Sequence, residues 1–396
     1  MRNKLAHRVR GIQQSKIRAV TKRIEAVSGV NLGQGTCPLP PDPRIVAAAE
    51  KAMLLNHNSY TAYDGIPELK EALVDRYWDY NNLKIKTSNV LVTSGATGGF
   101  ETVCKCFLEP GDEVIMFEPI YQYHVKLVLE KNAVPVYVPL EAPDWSFNIE
   151  DVEAAITEKT KFLALANPNN PSGKVFTKEE LLAIGTLCKS KGIPVVSDEV
   201  YEYILAEGYK HISLASLPGM FENTITISSA SKTLFMTGWR VGWLIAPDEI
   251  MEPLGVRADE TYVCAPAPFQ HAVAQALRFG DDYFNQIRKP FQKKRKILSK
   301  ALTEAGLKPY DPQGAYYTLA DYTALGYDSD ENALTQLIAE FAIGAVPGNS
   351  FFLSESETGL LRFCYAVTDE VLDRACQLLT SGRRVNQSKK PSLLPS

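Results

Sequence analysis

The chain has 396 residues, 45% hydrophobic and 22% charged, which is length for two or three domains with well-covered cores and excludes an intrinsically disordered protein. Its 42 Lys and Arg against 46 Asp and Glu leave a net charge of -4, too acidic for the basic field of a nucleic-acid binder, and no run approaches the ~18 apolar residues of a membrane span. Seven cysteines, odd in number and without a CxxC pair, spell neither a disulfide framework nor a metal site and fit a reducing cytosol.

Eight basic residues from Arg2 to Arg23 precede the first acid, Glu25. An organellar address is the minor reading of that run. SKIRAVTKRIEAV (Ser15 to Val27) has helical apolar spacing at Ile17, Val20, Ile24 and Val27, so it is expected to be an arm packed on the fold.

From Asn89 onward, short β-rich runs alternate with helical stretches. VLVT (Val90 to Thr93), EVIMF (Glu113 to Phe117), PVYV (Pro135 to Val138), KFLALA (Lys161 to Ala166), IPVVSDE (Ile193 to Glu199) and NTITISSA (Asn223 to Ala230) read as strands. Several are apolar on both faces, the mark of a parallel sheet covered on both sides. Helical periodicity runs from Thr97 to Leu108, from Tyr121 to Glu130 and from Lys178 to Lys189, the last opened by a capping box of Thr177 and Glu180. The class is therefore α/β. GWRVGWLIA (Gly238 to Ala246) follows the sixth strand too closely for a parallel crossover and should run antiparallel.

Helices are expected around Phe269 to Phe279 and from Ile287 to Ala305. The run Lys293, Lys294, Arg295, Lys296 in the latter is read as a solvated face. The short strands GAYYTLAD, IGAVPG and LLRFCYA then suggest a smaller α+β domain. Its expected extent is 1–44 with 286–380, around a large domain of 45–285, and 381–396 is expected to be a flexible tail.

Ligands of open α/β sheets bind at the carboxyl ends of the strands, so the polar residues after each run matter most. GATGG (Gly95 to Gly99) opens a helix with free backbone N–H groups, a phosphate site in type. It lacks the GxGxxG pattern and the GK[ST] ending, so it points to a phosphate without a dinucleotide; a turn that merely needs glycines explains it as well. Lys232 lies in a serine-rich loop with Arg240 eight residues on, either a surface cation or an amine placed to form a Schiff base. Asp198, closing the apolar run IPVVSD, would be costly to bury without a cation, which a protonated pyridine nitrogen would supply; capping of a following helix is the competing account.

NSYTAYDGIPELKEAL, NPNNPSGKVFTKEEL, SDEVYEYI, HISLASLPGM and SSASKTLFMTGWRVGW, in that order, complete the pattern. From about Val30 to Leu379 the chain resembles the class I/II, fold-type I pyridoxal-phosphate (PLP) aminotransferases, nearest to the kynurenine and glutamine aminotransferases, some of which also cleave cysteine S-conjugates. The resemblance implies a mostly parallel seven-stranded sheet flanked by helices, and ping-pong transfer of an amino group from an L-α-amino acid to a 2-oxo acid. By the same resemblance, Lys232 holds PLP as an internal aldimine and then acts as acid and base, Asp198 keeps the pyridine nitrogen protonated, and Tyr201 and Asn170 hydrogen-bond the ring oxygen. Ala96, Thr97, Ser229 and Arg240 would hold the phosphate, Tyr121 would stack on the ring, and Tyr60 would reach the phosphate of a neighbouring subunit in a homodimer with shared sites. Gly35, Asn170 and Arg362 would meet the substrate, Arg362 as a fork on its α-carboxylate.

Two places depart from the subgroup: Val263 and Cys264 in TYVCAPAP stand where relatives have an aromatic residue and a histidine, and Thr36, Cys37 and Pro38 follow LGQG. Both changes remove ring-stacking surface and argue against a kynurenine or phenylalanine preference. A β-lyase or PLP cyclase remains the alternative within the fold. A PLP-sensing transcription regulator would need a DNA-binding module ahead of Val30, for which too little chain is seen, and a dinucleotide oxidoreductase lacks its glycine fingerprint.

Overall fold

The computed structural model describes residues 16–353 and 357–381. Arg2, Lys4, Arg8 and Arg10 of the N-terminal basic run and the expected tail beyond Ser381 lie outside the described residues. A helix Lys16–Ala26 leads into strand β1 (Val30–Asn31). The large sheet comprises β2 (Val90–Thr93), β3 (Glu113–Glu118), β4 (Val134–Pro139), β5 (Thr160–Ala166), β6 (Val195–Asp198), β7 (Thr224–Ser229) and β8 (Gly242–Ile245), in the order β2-β8-β7-β6-β5-β3-β4. β8 is antiparallel to both neighbours and the other paired strands are parallel. All six strands expected from the alternation are present, and the seventh runs antiparallel as the short loop requires. β2, β6, β7 and β8 are buried along their length, because helices cover both faces.

The smaller part carries β9 (Lys308–Pro309), β10 (Tyr317–Asp321), β11 (Ile343–Gly344), β12 (Val346–Pro347) and β13 (Leu360–Cys364). Four of these form an antiparallel sheet in the order β12-β13-β10-β9, while β11 pairs in parallel with β1. Val20 and Ile24 of the first helix are buried and lie over Gly344, where an added Cβ would come within 2.6 Å of Ile24. The N-terminal arm is thus seated on the small sheet, as its apolar spacing predicts. Among the described residues no helix is long and apolar enough to cross a membrane.

One expectation fails. In the helix Asp281–Glu304 only Lys293 and Lys296 of the basic run are exposed, whereas Lys294 and Arg295 are buried. Lys294 pairs with Asp369 and donates to the Val367 carbonyl at 2.8 Å, and Arg295 pairs with Asp311. Four consecutive helical residues sweep all faces, so two of them fall on the inner side with Phe291 and Leu298. These cations clamp the long helix to the C-terminal helix and to the loop before β10. The capping box at Thr177, by contrast, forms as expected, with Thr177 Oγ1 accepting from Glu180 N at 3.1 Å and Thr177 N donating to Glu180 Oε2 at 2.8 Å.

The antiparallel β8 also brings Gly242 against the turn after β2. A Cβ at Gly242 would lie 2.4 Å from the Gly95 carbonyl carbon and 2.7 Å from Ala96 N, all backbone. Gly242→Ala should therefore displace that turn and cost about 1–3 kcal/mol in urea denaturation. Gly238→Ala, where nothing lies within 4 Å, should be close to neutral. Equal melting of the two variants would show that the close approach is not a constraint.

Candidate active site

The carboxyl ends of β2, β5, β6 and β7 open on one cavity of about 360 Å³, closed on its other side by the small sheet. After β2 the chain turns through Gly95, at φ +69°, into the helix Gly95–Phe107. The first backbone N–H groups of that helix, Ala96 and Thr97 among them, have no intrahelical acceptor and border the cavity. Arg240, itself at φ +56°, lies over this turn: a Cβ on Gly95 would sit 2.3 Å from its Nη2. Its guanidinium donates to the carbonyls of Thr237 (3.1 Å) and Ser94 (3.3 Å). Ser229, at the end of β7, caps the short helix Ala230–Thr233 by accepting from Ser231 N. A fixed cation, a helix N-terminus and two serines thus converge in a cradle suited to a phosphate.

Lys232, in that short helix, donates from Nζ to the Gly35 carbonyl at 3.3 Å. Burial holds its amine below the usual lysine range, a shift partly offset by Cys37, Cys364 and Asp198. Asp198 ends β6 at 8% exposure; its Oδ1 accepts from Val200 N (3.2 Å) and its Oδ2 meets His124 Nε2 (3.2 Å). Asp198 thus has a local backbone contact and an imidazole partner within the chain itself, and no helix begins at the residues that follow it. His124 follows Tyr121, which begins the helix Gln122–Glu130, and stacks on Phe100 at 4.2 Å.

Arg362 is the most buried of the charged residues lining the cavity. It stands on the inner strand β13, opposite Leu319 and Val346, and is 1% exposed. Its guanidinium lies 4.2 Å from the Tyr317 ring and 4.6 Å from the Phe351 ring, and donates to the Gly33 carbonyl (2.7 Å) and Asn170 Oδ1 (3.1 Å). Its Nε has no partner, and among the described residues no carboxylate lies within 4 Å of it. Asn170 is presented by a loop that fastens itself, Asn169 Oδ1 accepting from the amide and hydroxyl of Ser172 and Asn167 Oδ1 accepting from Phe176 N. Buried phenols complete the wall: Tyr201 and Tyr317 hydroxyls are 3.3 Å apart, and Tyr316 donates to the Gly35 carbonyl at 3.0 Å. Burial pushes the Tyr201 and Tyr121 phenols up, so both are neutral donors.

Gly35, Ala96, Thr97, Tyr121, Asn170, Asp198, Tyr201, Ser229, Lys232, Arg240 and Arg362 all line this cavity. Tyr60 does not. It is 82% exposed and borders a separate hollow with His57 and His271. Val263, at φ +63° and 42% exposed, and Cys264 also lie outside the cavity. The sequence reading missed Gln34, His124 and Tyr317, which line it as well. His124 could have been found from its place one helical turn after Tyr121; Tyr317 carries no such signal.

The family model for aminotransferase class I and II matches residues 27–379. Kynurenine–oxoglutarate transaminase 3 of Rattus norvegicus is 36% identical, over 95% of this chain and 89% of its own length, and kynurenine–oxoglutarate transaminase 1 of Mus musculus 33%, over 91% and 93%. N-succinyldiaminopimelate aminotransferase from Mycobacterium tuberculosis superposes with a TM-score of 0.91 at 30% identity, covering 95% of this chain and 99% of that one. A single mutant of Thermus thermophilus aspartate aminotransferase gives 0.88 at 29%, covering 95% and 99%. These relatives favour transamination over elimination or cyclisation. Matched along nearly its whole length by family, relatives and fold alike, the chain belongs to the class I and II aminotransferases and is an enzyme that moves an amino group from an amino acid to a 2-oxo acid.

Proposed function

We propose that the cavity takes pyridoxal 5′-phosphate and, in alternation, an L-α-amino acid and a 2-oxo acid. The residues present fit the cofactor. A phosphate would rest on Ala96 and Thr97 N–H, Ser229 and Arg240, in the cradle that a side chain at Gly95 would fill. A pyridine nitrogen would face Asp198, whose carboxylate His124 helps to hold; Tyr121 would cover the ring, and Tyr201 and Asn170 would donate to its oxygen. Lys232 would hold the aldehyde carbon. Bound there, the cofactor supplies an electron sink for the substrate α-carbon.

The chain's own groups account for the rest. Burial favours the neutral form of the Lys232 amine, so once released from the cofactor it can take the proton at the substrate α-carbon and return it elsewhere. The observation that carries the substrate class is Arg362, a buried guanidinium without an anionic partner among the described residues. An isolated buried charge is costly, and a carboxylate brought by the substrate relieves it. Gly35 leaves its backbone bare beside that place. Kynurenine is the first donor to test, with 2-oxoglutarate as acceptor, because the relatives carry those names. The Tyr121, Tyr123 and Tyr317 rings lining the cavity offer stacking surface despite the departures at Val263 and Cys264. Seven unpaired cysteines support work in a reducing cytosol. Tyr60, fully presented to the outside, supports the reading that it serves the site of a second copy.

Replacing Lys232 with Ala should abolish both turnover and the visible absorption of lysine-bound cofactor while the protein stays folded by circular dichroism. Retention of that absorption would overturn the assignment.

Arg362→Lys keeps the charge and loses the fork. It should raise KM for every amino acid by a similar factor, ~10- to 100-fold for a charge-assisted contact of this kind, without reordering side-chain preference. A changed ranking of amino acids would place Arg362 against the side chain instead.

Mixing a Tyr60→Ala variant with the Lys232→Ala variant should restore activity above the sum of the two, because a hybrid dimer has one intact site. No gain after verified subunit exchange would mean that the sites are not shared.

A further inference from the structure

Tyr317 lies outside every sequence motif of the site yet touches both of its halves. It is 3% exposed, on β10 of the small sheet, with its partner in register Cys364 two residues past Arg362. One face of its ring lies 4.2 Å from the Arg362 guanidinium carbon. Its hydroxyl, 3.3 Å from that of Tyr201, approaches Gly35 so closely that a Cβ there would sit 1.8 Å away. The absence of a side chain at Gly35 is thus needed to admit this hydroxyl. Burying a phenol oxygen without a hydrogen bond is unfavourable, and a phenylalanine would fill the same space. The hydroxyl therefore needs an account.

We infer that Tyr317 is a positioning residue that strengthens the hydrogen bond Tyr201 donates to the cofactor and holds the Arg362 fork in plane. The inference rests on the PLP reading above. A phenol hydroxyl is one donor and two acceptor sites, and its hydrogen rotates. With Tyr201 turned toward the ring oxygen of the cofactor, its own oxygen is free to accept from Tyr317, giving a chain of two phenols in a medium of low dielectric. Such chains polarise cooperatively, so the terminal donor is a better one than a single tyrosine. A spacing of 3.3 Å is at the long end for such a bond. The ring makes the second contact: together with Phe351, whose ring the guanidinium also approaches, it limits the orientations in which the guanidinium can meet a carboxylate.

The test is a spectrophotometric pH titration of holoenzymes: wild type, Tyr201→Phe, Tyr317→Phe and the double variant. Tyr201 donation favours the deprotonated form of the lysine-bound cofactor. Tyr317→Phe should therefore move the titration upward by about 0.2–0.6 pH unit. Tyr201→Phe should move it further, and adding Tyr317→Phe to Tyr201→Phe should shift it no more, because the second phenol acts only through the first. Tyr317→Leu, which also deletes the face against Arg362, should raise KM for amino acids above that of Tyr317→Phe. An unchanged or lowered titration in Tyr317→Phe, or equal shifts with and without Tyr201, would overturn the inference. Failure of the PLP reading is distinct: wild-type protein would then show no visible band that Lys232→Ala removes.

Discussion

A full positive charge kept out of water without an anion of the protein's own is the constraint around which this molecule is arranged. Arg362 stands on an inner strand of the small sheet, close to two aromatic rings, with two carbonyl-type acceptors and no carboxylate partner among the described residues. Breaking such a charge away from all partners typically costs several kcal/mol. The fold tolerates it because the acceptors come from segments far apart in sequence, Gly33 after the N-terminal arm and Asn170 after β5, each fixed by its own hydrogen bonds. The buried cations Lys294 and Arg295, which are paired with acids, show what the same structure does with charge that has no ligand to await.

The opposite wall is built by topology. Four parallel pairings and one reversed strand put the ends of β2, β5, β6 and β7 on one side, and the reversal at β8 returns Arg240 over the turn at Gly95. Two glycines make that return possible for different reasons. Gly95 adopts a left-handed backbone and leaves room for a guanidinium, whereas Gly242 lets one backbone pass against another. The anion cradle is therefore a consequence of strand order, and the motif GATGG makes sense only with GWRVGW folded against it.

How far the sequence could be read follows from the range of each interaction. The strands were legible because runs such as VLVT and PVVSD are apolar on both faces, and the antiparallel β8 because its loop is short. The family motifs supplied the site residues on the loops of the large sheet. A charge run such as Lys293 to Lys296 is one-dimensional, and nothing in it says which helical face meets Asp369 or Asp311 more than a dozen positions away. Tyr317 was missed for the same reason: its significance lies in contacts with Tyr201, Gly35 and Arg362, which only the assembled chain brings together. Tyr60 marks the opposite limit, a residue that the fold places outside this cavity, exposed beside another hollow.

Discrimination among substrates follows from these energetics. A site that holds an unpaired guanidinium selects less by attracting carboxylates than by rejecting what leaves the charge unanswered, and such rejection reaches larger ratios than a fitted apolar pocket achieves. A plain amine would satisfy the wall at the end of the large sheet near Lys232 and Asp198 but leave Arg362 buried and unpaired. An amino acid answers both walls at once, because its amine and its carboxylate sit on a single carbon. Under the proposed reading the side chain beyond that carbon would be left Tyr123, Thr36 and Gln34, which also line the cavity and are uncharged groups of mixed polarity. Contacts of that kind differ by only about 1–3 kcal/mol between substrates, so the chain should be strict about the α-carboxylate and graded in its choice of side chain.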